Sequence, residues 1–371
     1  MKSSLRLVRI AGIDIGVHYS WILIFLLLSW GLAQAFFPGI YPEWDTATYW
    51  ITGVASALLL FVSVLLHELA HSLVAKARGI GVQSITLFLL GGVSNLEDEP
   101  ERPIVEFTVA IVGPLTSLAV AGICWGLLRL VENQQGPLAA ILGYLALVNL
   151  ILAAFNLLPG FPLDGGRVLR SILWQRTGSL VTATNIAANI GRFMGWGLIA
   201  FGLLRIFSGY LDGIWLAFIG WFLSTSADAS RRDLTAREQL RGVRVKDIMA
   251  TDPTTISPDT SVADLVSSVF RRQLGRAVPV CKDDRIVGVV SVIDVKELPR
   301  EKWDQTPVSE IMTREPLHVV SPEDDLNTAL RLITKGDVNQ VLVMDGGRCA
   351  GLINRADILN HLQLTQELGL K

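Results

Sequence analysis

From residue 51 to residue 66 the chain carries no charge, and five other stretches, 20–37, 104–130, 138–158, 185–207 and 213–224, are similarly apolar. Runs of about 20 apolar residues are the length a helix needs to cross a bilayer. The backbone satisfies itself there only in a helix or a closed barrel. Residues 1–227 therefore read as a polytopic α-helical membrane domain with about six transmembrane helices. The mean hydropathy of +0.46 is high for a soluble chain, and the excess lies before residue 225. The first run starts late and lacks a small-residue cleavage site, so it reads as a retained helix and not as a signal peptide. A formal net charge of −2 gives no nucleic-acid footprint. Cys124, Cys281 and Cys349 are far apart and make neither a ligand spacing nor a disulfide framework.

The 51–66 run closes on His67-Glu68-Leu69-Ala70-His71. Residues four apart share one face of a helix, so His67 and His71 present two imidazoles to one metal ion. Glu68 stands beside them, within reach of a water on that ion. This is the H-E-x-x-H arrangement of zinc hydrolases. Zinc lowers the pKa of its water to about 7, and a neighbouring glutamate takes the proton and passes it to a leaving amine. Ionisable groups in such a segment are costly and mark function.

Two histidines need a third ligand. The run 138–158 contains Asn149 and Asn156 and breaks at Pro159-Gly160-Phe161-Pro162, followed by Leu163-Asp164-Gly165-Gly166-Arg167. Asp164 is either that ligand or only the cap of the helix that follows. Gly113-Pro114 inside 104–130 either kinks its helix or admits a close neighbour. His18 reads as an interfacial or hydrogen-bonded residue. Residues 6–18 and 82–96 alternate like strands and are too short to span as helices, so they read as membrane-associated β-hairpins. The second is an ordinary connection or a free strand edge that takes an extended substrate.

Lys and Arg set orientation. Lys76, Arg78, Arg167, Arg170, Arg176, Arg231 and Arg232 fall on the N-terminal side; loops 38–45, 132–136 and 208–212 contain neither residue, although Arg129 and Arg205 lie near that face. Six crossings place both termini in the cytosol of a multi-pass cell-membrane protein.

Beyond a charged linker, 228–242, the composition becomes that of a soluble α/β domain with an internal repeat. Val245-Lys246-Asp247-Ile248-Met249 returns 63 residues later as Val308-Ser309-Glu310-Ile311-Met312; Gly288 matches Gly351 and Asp294 matches Asp357. Each copy reads strand, helix, strand, strand, helix. The pair resembles two CBS motifs forming one cytosolic Bateman module, with domains at 243–300 and 301–371. That resemblance implies a dimerising module that binds ATP, ADP or AMP. Ser291 and Asp294 would contact phosphate and ribose, and Asp357 would repeat the ribose position beside Asn354, which departs from the family's Ser/Thr. A purely structural module that binds nothing is the alternative.

The membrane half, about residues 5–225, resembles the site-2 protease family of intramembrane zinc metalloproteases. The residues that carry the likeness are His67-Glu68-x-x-His71, Gly91-Gly92, Gly113-Pro114 and Asn156-Leu157-Leu158-Pro159-x-x-Pro162-Leu163-Asp164-Gly165-Gly166. It implies one zinc held by His67, His71 and Asp164, with Glu68 as general base and Asn156 on the substrate carbonyl. The substrate would be a transmembrane protein, such as a membrane-anchored regulator cut first by another protease. CBS pairs also occur on transporters and channels, the competing class, though a transporter has no need of Glu68 beside the histidines.

Overall fold

The computed structural model describes residues 4–88, 91–96, 100–251, 253–270, 277–283, 285–314, 317–336 and 338–368. The chain divides into two compact units, Met1–Arg232 and Asp233–Lys371.

The first unit opens with strands β1 (Ser4–Ile10) and β2 (Ile13–His18), joined through Ala11 and Gly12, both at positive φ. Helix α1 (Ser20–Gly31) continues through a π-helical turn, Leu32–Phe36, into α2 (Phe37–Ile40). Helix α3 (Thr46–Ala77) is capped by Asp45, whose Oδ1 accepts the Thr48 amide at 2.7 Å. Then come β3 (Val82–Phe88), β4 (Gly91–Leu96), α4 (Pro103–Leu128), α5 (Pro137–Asn156), α6 (Asp164–Thr177), α7 (Leu180–Phe207) and α8 (Gly213–Leu240).

Both expected hairpins form, and they join. Strand β2 pairs in parallel with β3, giving one four-stranded sheet in the order β1-β2-β3-β4. Ile13, Ile15, Ile85 and Leu87 are its buried apolar side chains among the described residues. At the end of α3, Lys76 donates from Nζ to the Ala11 carbonyl at 2.7 Å, which ties the hairpin turn to that helix. Helix α4 runs through Pro114 without ending.

Among the described residues, five helices are long and apolar enough to cross a membrane: Ser20–Ile40, Thr46–Ala77, Pro103–Leu128, Pro137–Asn156 and Leu180–Phe207. The sixth expected crossing forms the first part of α8 and is not among them. Its charge-free stretch, 213–227, is about 22 Å long at 1.5 Å per residue, short of the ~30 Å hydrocarbon core. The segment read as a linker is helical, since α8 runs on through Asp228 to Leu240.

The second unit contains β5 (Ala250–Thr251), α9 (Val262–Leu265), β6 (Ala277–Lys282), β7 (Arg285–Ser291), α10 (Val292–Glu297), α11 (Val308–Ile311), β8 (Val319–Val320), α12 (Leu326–Lys335), β9 (Gln340–Asp345), β10 (Arg348–Asn354) and α13 (Arg355–Leu368). The repeat is visible as reciprocal exchange. Strand β5 of the first copy pairs with β10 of the second, and Thr313 of the second bridges Val289 of the first. Arg244 meets Asp325 as Ser261 meets Pro307. Each copy's core takes the lead-in of the other: Val245, Ile248 and Met249 pack on the second, Val308, Ile311 and Met312 on the first. Hydrophobic burial is thus shared between the copies, and neither closes its core alone.

Candidate metal centre

His67 and His71 lie on α3, 4% and 6% exposed, with their rings edge to face. Asp164 is the first residue of α6, and Leu163 holds the cap position. The Asp164 carboxylate reaches the two rings of α3. Oδ2 lies 3.0 Å from His67 Nε2 and 3.2 Å from His71 Nε2, and the two Nε2 atoms are 3.1 Å apart. The structure thus places Asp164 beside both imidazoles, with Leu163 at the position that opens the helix.

Helix α4 seats both rings with one face. His71 Nδ1 donates to the Val109 carbonyl at 2.6 Å, and His67 Nδ1 lies 2.9 Å from Ser117 Oγ. A carbonyl only accepts, so Nδ1 of His71 carries the hydrogen, and Nε2 of the neutral ring is a lone pair. Gly113, midway between Val109 and Ser117, leaves the space: a Cβ there would lie 2.1 Å from His71 Nε2 and 2.6 Å from His67 Nε2. The Gly113-Pro114 pair therefore serves close approach and not a helix break.

The donor set fits zinc. Two ring nitrogens and a carboxylate oxygen converge on one point, an electron-rich triangle that repels itself unless a cation fills it. Tetrahedral zinc at ~2.0–2.1 Å from its donors separates them by about 3.3 Å, close to the 3.0–3.2 Å found. Among the described residues this is the single group of three or more His, Cys, Asp or Glu so disposed.

The residues around the centre come from distant segments. Glu68, next to His67, has its Oε2 bonded by Ser94 Oγ at 2.9 Å. Buried Glu106 on α4 accepts from Arg170 Nε on α6 at 2.6 Å and from its Nη2; Arg167 Nε lies 3.9 Å away. The Arg170 guanidinium also sits over the Phe161 ring, 5.0 Å from its centroid. Asn156 ends α5, with Nδ2 donating to the Leu152 carbonyl at 3.0 Å. The sequence reading missed Ser94, Ser117 and the Glu106–Arg170 pair. A carboxylate at 106 in an apolar helix was a signal, but its partner 64 positions away was not.

In the second unit, Ser291 and Asp294 form a capping box at the start of α10: Asp294 Oδ2 accepts from the Ser291 amide and hydroxyl, each at 2.7 Å. Asn354 and Asp357 repeat it, each amide bonded to the other's side chain at 2.9 Å. A cavity of about 260 Å³ is lined by Ser291 and Asp294 together with His318, Asn339 and Gln340 of the other copy; Asp357 is not part of its wall.

The sequence profile of peptidase family M50 matches residues 55–135 and 131–198, and that of the CBS domain matches 245–301 and 308–364. A Mycobacterium tuberculosis protein named zinc metalloprotease Rip3 is 36% identical over 366 residues, which cover 96% of this chain and 92% of that protein. The chain belongs to the site-2 protease family, peptidase family M50. A zinc metalloprotease of Methanocaldococcus jannaschii is 33% identical over 378 residues, covering 99% of each chain. A solved structure, the site-2 protease of the same organism, is 36% identical and covers 62% of this chain and 95% of that one, with a TM-score of 0.44. The family profiles and the full-length relatives make the chain a site-2-type zinc metalloprotease with a fused CBS pair, and the transporter alternative falls away.

Proposed function

We propose that His67, His71 and Asp164 hold one zinc ion, that Glu68 is the proton carrier, and that the chain hydrolyses peptide bonds in membrane-spanning segments of other membrane proteins. The observation that carries this is the convergence of two imidazole lone pairs and one carboxylate oxygen within 3.2 Å of one another. A zinc ion there supplies Lewis acidity, which polarises water and the scissile carbonyl. Glu68 accepts the proton of the attacking water and returns it to the leaving amine. Asn156 has two amide hydrogens and uses one on Leu152; the other is offered to the substrate carbonyl as charge builds on it. Strand β4 is an edge of its sheet, and an unwound substrate segment adds to that edge.

The chain crosses the membrane six times, with both termini cytosolic, and the substrate is a membrane-anchored regulator first cut by another protease. The CBS pair forms a homodimer and takes an adenine nucleotide in the cavity beside Ser291 and Asp294, which adjusts proteolysis. The test is purified full-length protein carrying Glu68→Gln. It retains one zinc per chain and loses cleavage, whereas His67→Ala, His71→Ala and Asp164→Asn lose zinc and cleavage together. Wild-type cleavage by Glu68→Gln overturns the mechanism.

A further inference from the structure

In β4, alternate residues face alternate sides of the sheet. Gly92 and Ser94 therefore share a side, and both meet α3. At Gly92 a Cβ would stand 2.4 Å from the Glu68 Cγ and 3.4 Å from its Oε1, so glycine leaves room for the carboxylate. Two residues on, Ser94 Oγ lies 2.9 Å from Glu68 Oε2, and Ser72 Oγ, on α3 and fully buried, lies 3.1 Å from Ser94 Oγ.

The direction of this chain of hydrogen bonds is fixed. An ionised carboxylate only accepts, so the hydrogen between Ser94 and Glu68 belongs to Ser94. Having spent its one hydrogen, the Ser94 oxygen can only accept from Ser72. Ser72 thereby sets the Ser94 rotor, and Ser94 pins one carboxylate oxygen. The other, Oε1, is left for the proton in transit.

We propose that Ser94 is a positioning residue for the proteolytic reaction: its hydroxyl, oriented by Ser72, holds the Glu68 carboxylate through Oε2 and fixes the proton-carrying base to edge strand β4. This rests on the assignment of Glu68 as the base. Outer partners that orient reacting groups contribute about 10- to 100-fold in activity. Ser94 bonds none of the three residues of the triangle, so its loss leaves the donor set intact.

The experiment uses full-length protein in detergent with a cleavable membrane-segment reporter, and measures kcat, KM, zinc per chain and melting temperature. Ser94→Ala is expected to lower kcat about 10- to 100-fold with KM and zinc content within about twofold. Ser94→Thr, which keeps the hydroxyl, restores kcat to within a few-fold of wild type, and Ser72→Ala gives a smaller loss of the same kind. Wild-type kcat in Ser94→Ala, with Glu68→Gln inactive, overturns the proposal and leaves the base assignment standing. Loss of zinc or melting temperature in Ser94→Ala that Ser94→Thr does not restore also overturns it, since the residue is then structural. An active Glu68→Gln variant instead removes the base assignment itself.

Discussion

The Cα of Gly113 faces the ring of His71 so closely that one added methyl carbon would sit 2.1 Å from Nε2. Nothing on the glycine side can yield, because the contact is made by the backbone of α4, the helix that also holds His71 through Val109 and meets His67 through Ser117. One face of α4 therefore grips both rings and leaves their Nε2 atoms clear. Gly113→Ala is expected to leave the helices folded, because alanine is the better helix former. It displaces one or both imidazoles and weakens zinc binding roughly 10- to 100-fold. Zinc titration against a competing chelator, with circular dichroism as control, reads it. Wild-type affinity in that variant removes the seat from the account.

Glu106 and Arg170 tie α4 to α6, the helix that delivers Asp164. Both are buried, at 0% and 7% exposure. Removing one partner of such a pair strands a charge and costs about 3–5 kcal/mol, whereas replacing both with apolar residues is far milder. Arg170→Leu is expected to lower the unfolding temperature sharply, and Glu106→Leu with Arg170→Leu to recover much of the loss. A loss in the double variant equal to the sum of the two single losses would show that the pair is uncoupled.

Much of the centre was legible because its signals are local. The H-E-x-x-H spacing places His67 and His71 on one face whatever surrounds α3. The break after Asn156 exposed Asp164 as a carboxylate in need of a role. The repeat gave the CBS pair. What escaped depends on distant pairing. Period-two alternation gave two hairpins, but nothing local in β2 specifies that it pairs in parallel with β3, seventy residues on. Gly113 before Pro114 is equally consistent with a kink or a close approach, and only the imidazoles above it decide. Ser94 looks like any serine in a strand until α3 is laid beside it.

The topology reading turns on α8. The Lys and Arg residues at 76, 78, 167, 170, 176, 231 and 232 fall on one face only if α8 crosses. Its apolar stretch is short, and a short span is accommodated by local bilayer thinning at modest cost. Single cysteines replacing Glu43 and Gln134, in a cysteine-free background, are expected to react with an impermeant reagent from outside the cell. Cysteines replacing Arg78 and Arg232 should react only after lysis. External reaction at 232 would reduce the crossings to five and put the CBS pair outside.

The two halves of the CBS pair offer an internal control for nucleotide binding. Asp294 and Asp357 make the same capping box, so alanine at either removes comparable support from a helix start, typically about 1 kcal/mol. Only Asp294 lines the cavity, whose volume is just below the ~300 Å³ at which ligand sites begin. If the cavity takes the nucleotide, Asp294→Ala weakens binding of ATP, ADP or AMP to the full-length protein by more than its effect on stability explains. Asp357→Ala, with the same structural loss, leaves that binding within about twofold. A ligand shifts activity only by its differential affinity for two arrangements of the module, and a coupling of about 1–3 kcal/mol changes turnover about 5- to 150-fold. Calorimetry on both variants, run beside cleavage assays with and without nucleotide, separates the cases. Equal weakening by the two substitutions would mean that the cavity is not the site. No binding of any adenine nucleotide at millimolar concentration would leave the pair as a dimerising element alone.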